Sequence, residues 1–279
     1  GAGLVAAMAA DGGLGRFVTS ATPLFLAMFA VPRLSSAMDD LIRRRVMRHL
    51  AYSEANVDAG RWWCAVGHVL VHGDDAHLAA NAATLLVQGS RVCATLGEWW
   101  LLIFLGGAAF AALDSGSKRT QVANALARSL RVSAPAALAP ISAAANGLTQ
   151  KLSGMLAPSI ARTTHFVGAS AGVFALEGAT LVLTLESLAR AAWRSVWGSP
   201  RSREHSRRAA DAARVAGDVF HVAVVSTSAL DTRHSLLQGV VPAGGQSVDH
   251  AGHWQGFVFG VGLGAMLRLQ QLLWRRGPL

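Results

Sequence analysis

Charge is what this chain has least of. Only 15% of its 279 residues are Asp, Glu, Lys or Arg, where soluble proteins carry about 25%, and 52% are hydrophobic. Disorder is excluded by that balance, and an ordinary soluble domain does not fit it. Cysteine is nearly absent as well: Cys64 and Cys93 form a lone, widely spaced pair. Such a pair sets neither a disulfide framework nor a metal site, and it leaves the redox compartment open. No internal repeat and no heptad series runs through the sequence, which excludes solenoids and coiled coils. Acidic residues are outnumbered, 16 against 25 basic, for a formal net charge of +9. The arginines lie in runs, 43–45 and 201–208, between apolar segments rather than interleaved with aromatics along one face. They read as membrane-flanking charge, and no nucleic-acid partner is expected.

What is present is apolar sequence in six blocks: Phe17 to Val31, Ala76 to Gly89, Trp99 to Leu113, Phe166 to Leu188, Val215 to Leu230 and Ala251 to Trp274. Six spanning helices of about 20 residues each fit within this length. An all-α, polytopic protein embedded in the lipid bilayer is the expectation. Two blocks carry residues that are costly at a bilayer centre, His77 with Asn81 and Asp218 with His221, so those residues are expected either not to span or to have a task. Between Arg190 and Arg214 stand seven arginines against Glu204 and Asp211, the strongest positive-inside signal, which places that loop on the cytoplasmic or equivalent side. The segments 35–61 and 114–165 fall on the far side. The latter, weakly apolar and broken by Pro135, Pro140 and Pro158, is expected to be loop with surface helices. The chain opens on Gly rather than Met, and its first 15 residues are Ala/Gly-rich; a natural start and any targeting peptide are expected upstream.

Three clusters carry potential chemistry. The first is His68, His72, His77 and Asn81. Asp74 and Asp75 are plausible N-caps, so a helix is expected from about Ala76. On it His77, Asn81, Thr84 and Gln88 fall within about 60° of one another. A polar stripe of that kind faces protein or water, not lipid. The second cluster is 168–172, Gly-Ala-Ser-Ala-Gly, where small residues allow the Ser170 hydroxyl to sit at a helix N-terminus beside unpaired N–H groups able to stabilise an oxyanion. Ala171, Ala175 and Gly178 continue as a small-residue face. The third is 249–253, Asp-His-Ala-Gly-His, whose last residue is continued by Gly256, Gly260 and Gly264, a doubled GxxxG pattern. Two such faces can bring His253 against Ser170, and a neutral imidazole in reach of a hydroxyl is what an activated serine needs. Other readings stay open: His68 and His72 have an i,i+4 spacing that could hold zinc but lack the glutamate of HExxH. His250 with His253 offers a metal pair without an evident carboxylate, and Asp218 with His221 a proton relay.

The conjunction resembles the rhomboid family of intramembrane serine proteases. The stretch 68–81 is similar to the family's second helix with its HxxxN ending, 88–99 to the following turn, 167–176 to the nucleophile motif, and 248–260 to the sixth helix. The resemblance runs from about residue 17 to 274. It implies a six-transmembrane-helix bundle, with an N-terminal segment 1–16, a membrane domain 17–274 carrying a long insertion at about 114–165, and a tail 275–279. It also implies a Ser/His dyad without a carboxylate, in a multi-pass membrane protein whose host membrane is open, acting on single-span membrane proteins with no cofactor and no metal. On this resemblance Ser170 is the nucleophile and His253 the base. His77 and Asn81, with the Ser170 amide, are the oxyanion donors; Gly168 is the first motif glycine, and His72 and His68 line the approach. The segment 231–247 is then expected to be a mobile cap and the fifth block a lateral gate. Two departures stand out besides the insertion: Ala171 where glycine is common, and Cys64 after Trp63 where a Trp-Arg pair is usual, so the outer loop is expected to be held differently.

Overall fold

A computed structural model of the protein describes residues 13–37, 40–72, 74–113, 168–197, 215–217, 219–220 and 250–275. The 114–165 insertion, most of the fifth apolar block and the 231–247 segment lie outside the described residues. All regular structure among the described residues is helical. The first helix, α1 (Gly13–Ala37), is followed by the basic α2 (Asp40–Leu50), two short turns of helix, α3 (Glu54–Asp58) and α4 (Cys64–Gly67), and a 3-10 turn at His68–Leu70. Then come α5 (Asp75–Leu96), α6 (Trp99–Ala112), α7 (Ser170–Trp197) and α8 (His250–Arg275). Three stretches are long and apolar enough to cross a bilayer, Leu14–Arg33, Ser170–Trp193 and Gly252–Trp274, and Trp99–Ala112 is a shorter apolar helix. The chain is thus a multi-pass integral membrane protein.

The bundle is arranged around α7, which packs on α5, α6 and α8, while α1 lies against α5 and α6 also touches α8. Small residues set these distances. A Cβ on Gly256 or Gly260 would fall inside the carbonyl oxygens of Ala171 and Ala175, and one on Gly178 inside that of Phe257. The two small-residue faces expected from the sequence therefore meet, and α7 and α8 lie backbone to backbone along them. Association of this kind in lipid rests on close van der Waals packing, because apolar side chains gain nothing by leaving lipid for one another. Gly89 performs the same service for α1, since a Cβ there would meet the Phe17 ring, which in turn packs edge-on against Trp100 at 4.8 Å between centroids. The turn from α5 to α6 is closed by Gly97 at φ +64°, whose N–H donates to the Cys93 carbonyl.

The outer loop before the 3-10 turn is held by Asn56, which is buried. Its amide donates to the carbonyls of Arg48 and Ala51 at 2.9 and 2.8 Å, and its Oδ1 accepts from Arg61 Nε and Nη2 at 3.1 and 2.7 Å. The arginine that ties this loop precedes the Trp62-Trp63 pair, with Cys64 buried after it. At the opposite end of the bundle Arg268 is 8% exposed. It donates to Glu186 at 2.6 Å and to Gln271 at 2.9 Å, and Gln271 reaches the Thr95 carbonyl, so one cation joins α7, α8 and the end of α5. Glu186 also pairs with the half-exposed Arg190. Arg268→Met is expected to destabilise the protein by about 1.5–3 kcal/mol, because it removes charge-assisted hydrogen bonds from the sheltered guanidinium and leaves Glu186 only the exposed Arg190 as partner. Arg190→Met, at an exposed pair, is expected to cost less than about 1 kcal/mol. Thermal unfolding in detergent checks both, and equal melting temperatures for the two variants would contradict the assignment.

Candidate active site

The N-termini of α5, α7 and α8 converge on one end of the bundle, remote from the Arg190 end of α7. Each brings its positive dipole end and the N–H groups of its first turn. Asp74 caps α5, its Oδ1 accepting from the His77 N–H at 2.7 Å, one residue earlier than the sequence pattern placed the helix start. Cap and register then fix the stripe. Asn81 and Gln88 are buried against protein, and His77 and Thr84 are half-buried. The Asn81 amide nitrogen is shielded from solvent and has no partner among the described residues.

α7 begins at Ser170, so the serine stands at the helix N-terminus as its small neighbours led one to expect, and Gly168 precedes it at φ +103°. Two contacts hold that turn. The Gly168 N–H donates to the His68 carbonyl at 3.0 Å, and a Cβ on Gly168 would stand 2.7 Å from His77 Cε1. Only glycine combines that backbone conformation with room for the imidazole. The Ser170 N–H lies in the first turn, since helical bonding to the preceding segment begins with Val173 N–H to Ala169 O. His253, on the fourth residue of α8, places Nε2 2.8 Å from Ser170 Oγ across 83 residues of chain.

Phe174, which the sequence reading did not single out, stacks on the His253 ring with centroids 4.4 Å apart and planes within 9°. It stands one helical turn after Ser170, on the same side of α7, and this i,i+4 placement is the signal that could have found it. The stack fixes the imidazole plane, so the ring meets the hydroxyl edge-on with its nitrogen. His72 packs edge-to-face on His77, with centroids 5.3 Å apart. Both its ring nitrogens are shielded and without partners among the described residues. Burial, helped by the neighbouring His77 and opposed by Asp74, pushes His72 down to about 4, so it is neutral at physiological pH. His68 departs from its expected place along the approach: it is fully buried, with Nδ1 3.2 Å from the Cys64 carbonyl, and serves instead as the anchor of Gly168. The α8 backbone begins at His250, whose side chain lies outside the described residues.

The site thus brings together Ser170, His253, His77, Gly168 and His72, with Asn81 one turn further along the His77 face. Chemically, a hydroxyl paired with an imidazole, beside the first-turn N–H of Ser170 and an Asn81 amide without a partner among the described residues, is suited to attack on a carbonyl and to holding the charge that attack creates. A family model described as Rhomboid domain matches residues 59–270. Comparisons with curated proteins and with solved structures each gave no match.

Proposed function

The chain belongs to the rhomboid family, a family of intramembrane serine proteases, and from that premise we propose that it is a serine endopeptidase cutting single-span membrane proteins within the bilayer. What carries the reading is the 2.8 Å approach of His253 Nε2 to Ser170 Oγ, which lies within the range of a nucleophile–base pair. In the reaction the Ser170 oxygen adds to the scissile carbonyl carbon while His253 takes its proton. The oxyanion is held by the Ser170 N–H, the Asn81 amide and His77, and collapse expels the amine, which receives the proton from His253. Water, deprotonated by the same imidazole, then cleaves the acyl-serine and regenerates the hydroxyl. The membrane domain is taken to span 17–274, as the sequence reading placed it.

The Asn81 nitrogen supports its assignment by being shielded and unengaged among the described residues. A donor held in reserve stabilises charge that appears only in the transition state. Asn81→Ala is therefore expected to lower kcat on the order of 10²-fold, equivalent to about 2.7 kcal/mol of barrier, with a much smaller change in KM. Steady-state cleavage in liposomes checks this; a rise in KM at unchanged kcat would assign Asn81 to substrate binding. The whole reading is tested by incubating the reconstituted protein with a panel of single-span membrane proteins. Cutting in or beside the spanning segment is expected, and a protein that binds but never cuts them would instead be a client-binding member of the family.

A further inference from the structure

Glu177 has no place in the scheme above, yet it stands on the catalytic side of α7. At about 100° per residue, Ser170, Phe174 and Glu177 fall within about 60° of one another. Neighbouring faces of α7 are occupied. Ala171, Ala175 and Gly178 lie on α8, Gly172 lies on α6, and Val173 and Leu176 belong to a core that includes Leu78 and Leu85 of α5. The Ser170–Phe174–Glu177 strip runs along the margin between the α5 and α8 faces. Phe174 and Leu181 lean on Trp254, Phe257 and Val261 of α8, yet Ser170, Phe174 and Glu177 each keep part of their surface accessible, which leaves this margin to a substrate reaching the Ser170 hydroxyl. Further along, the strip is apolar, with Leu181, Leu185 and Leu188, and Leu185 is 49% exposed. Glu177 is its single carboxyl group. It is half-buried, and its Oε2 is sheltered from solvent with no partner among the described residues.

An ionisable side chain at membrane depth faces a cavity or a partner rather than lipid. We propose that Glu177 is the floor of a substrate subsite, which accepts a lysine or arginine side chain from the segment being cut. Glu177 lies two turns, about 10 Å along the axis, below Ser170. A substrate strand in the extended form needed for attack covers that distance in roughly three residues. The favoured basic residue therefore lies about three positions from the scissile bond, on the side of the cut deeper in the bilayer. A carboxylate facing an ammonium or guanidinium in so sheltered a place forms a charge-assisted pair, while an apolar residue there leaves the carboxyl unsatisfied.

The inference rests on the protease reading, and the experiment separates the two. Paired single-span substrates, identical but for Lys or Leu at that position, are cleaved in liposomes by the parent protein, Glu177→Leu and Glu177→Lys. The quantity read is the Lys-to-Leu ratio of kcat/KM, in which any loss common to both substrates cancels. The parent is expected to favour Lys at least tenfold, Glu177→Leu to bring the ratio to one or below, and Glu177→Lys to favour a third substrate carrying Glu there. Should the variants be too slow to follow, co-isolation of the same substrates with the Ser170→Ala protein, with and without Glu177→Leu, reads the preference without turnover. A parent ratio near one, or a ratio unmoved by Glu177→Leu in either assay, overturns the subsite. Absence of Ser170-dependent cutting of every substrate overturns the protease reading instead, whatever the binding ratio.

Discussion

Ser170→Ala and His253→Ala are each expected to lower cleavage on the order of 10⁴-fold or more, and the double variant to be no worse than either alone. The two residues act as one unit. Without the imidazole the hydroxyl keeps its proton and attacks weakly; without the hydroxyl the imidazole has nothing to activate. What remains in either variant is the contribution of the oxyanion donors and of substrate positioning, which does not depend on the dyad. His250→Ala discriminates between the two neighbouring imidazoles. His250 lies three residues, nearly one helical turn, before His253 on α8, so its loss is expected to leave most of the activity. The measurement is cleavage of a single-span substrate in liposomes. Cutting that persists in both dyad variants would mean that their 2.8 Å contact is packing and the chemistry lies elsewhere; loss in His250→Ala alone would move the base to that residue.

Much of this arrangement is legible in the sequence because it is written in repeated positions. The spacing of Ala171, Ala175, Gly256 and Gly260 recurs at helical period, and Asp74 followed by His77 marks a helix start with its cap. Signals of that kind survive without knowledge of the fold, since each is a local pattern. Features made by single residues far apart in the chain leave no such trace. Glu186 and Arg268 stand 82 residues apart on different helices, and only the backbone approach of α7 and α8 makes them a pair. Asn56 and Arg61 lie in a segment without periodicity, and that both bind one another is a property of the turn between them. His68 misled for a related reason. A histidine series reads as a polar lining, but the 3-10 turn rotates His68 inward, where its carbonyl is more useful than its ring. Phe174 was hidden by its ordinariness, because an aromatic residue in an apolar helix is usually core.

The glycines of α8 should respond to alanine in a graded series, and the largest loss is expected at Gly260. Its added Cβ would meet the Ala175 carbonyl oxygen, and that of Gly256 the Ala171 carbonyl. Both obstacles are backbone, so no rotamer change relieves them and the helices must part. An added methyl in a close-packed contact costs about 1–3 kcal/mol of stability. The catalytic cost is greater. His253 rides on α8 and Ser170 on α7, and a misplacement of about 1 Å is worth some 10²-fold in rate. Gly260→Ala is expected to lose on the order of 10³-fold in cleavage with a lowered melting temperature, and Gly256→Ala nearly as much. Gly264 meets only Ala179 Cα and Cβ at 3.0 Å, and at Gly262 nothing lies within 4 Å. Gly264→Ala should therefore be mild, while Gly262→Ala should be silent or slightly stabilising, as alanine favours helix over glycine by about 1 kcal/mol. Cleavage rates and thermal unfolding across the four variants test this order. An active, stable Gly260→Ala protein would mean that α7 and α8 do not touch along this seam, and the positioning of His253 would then need another cause.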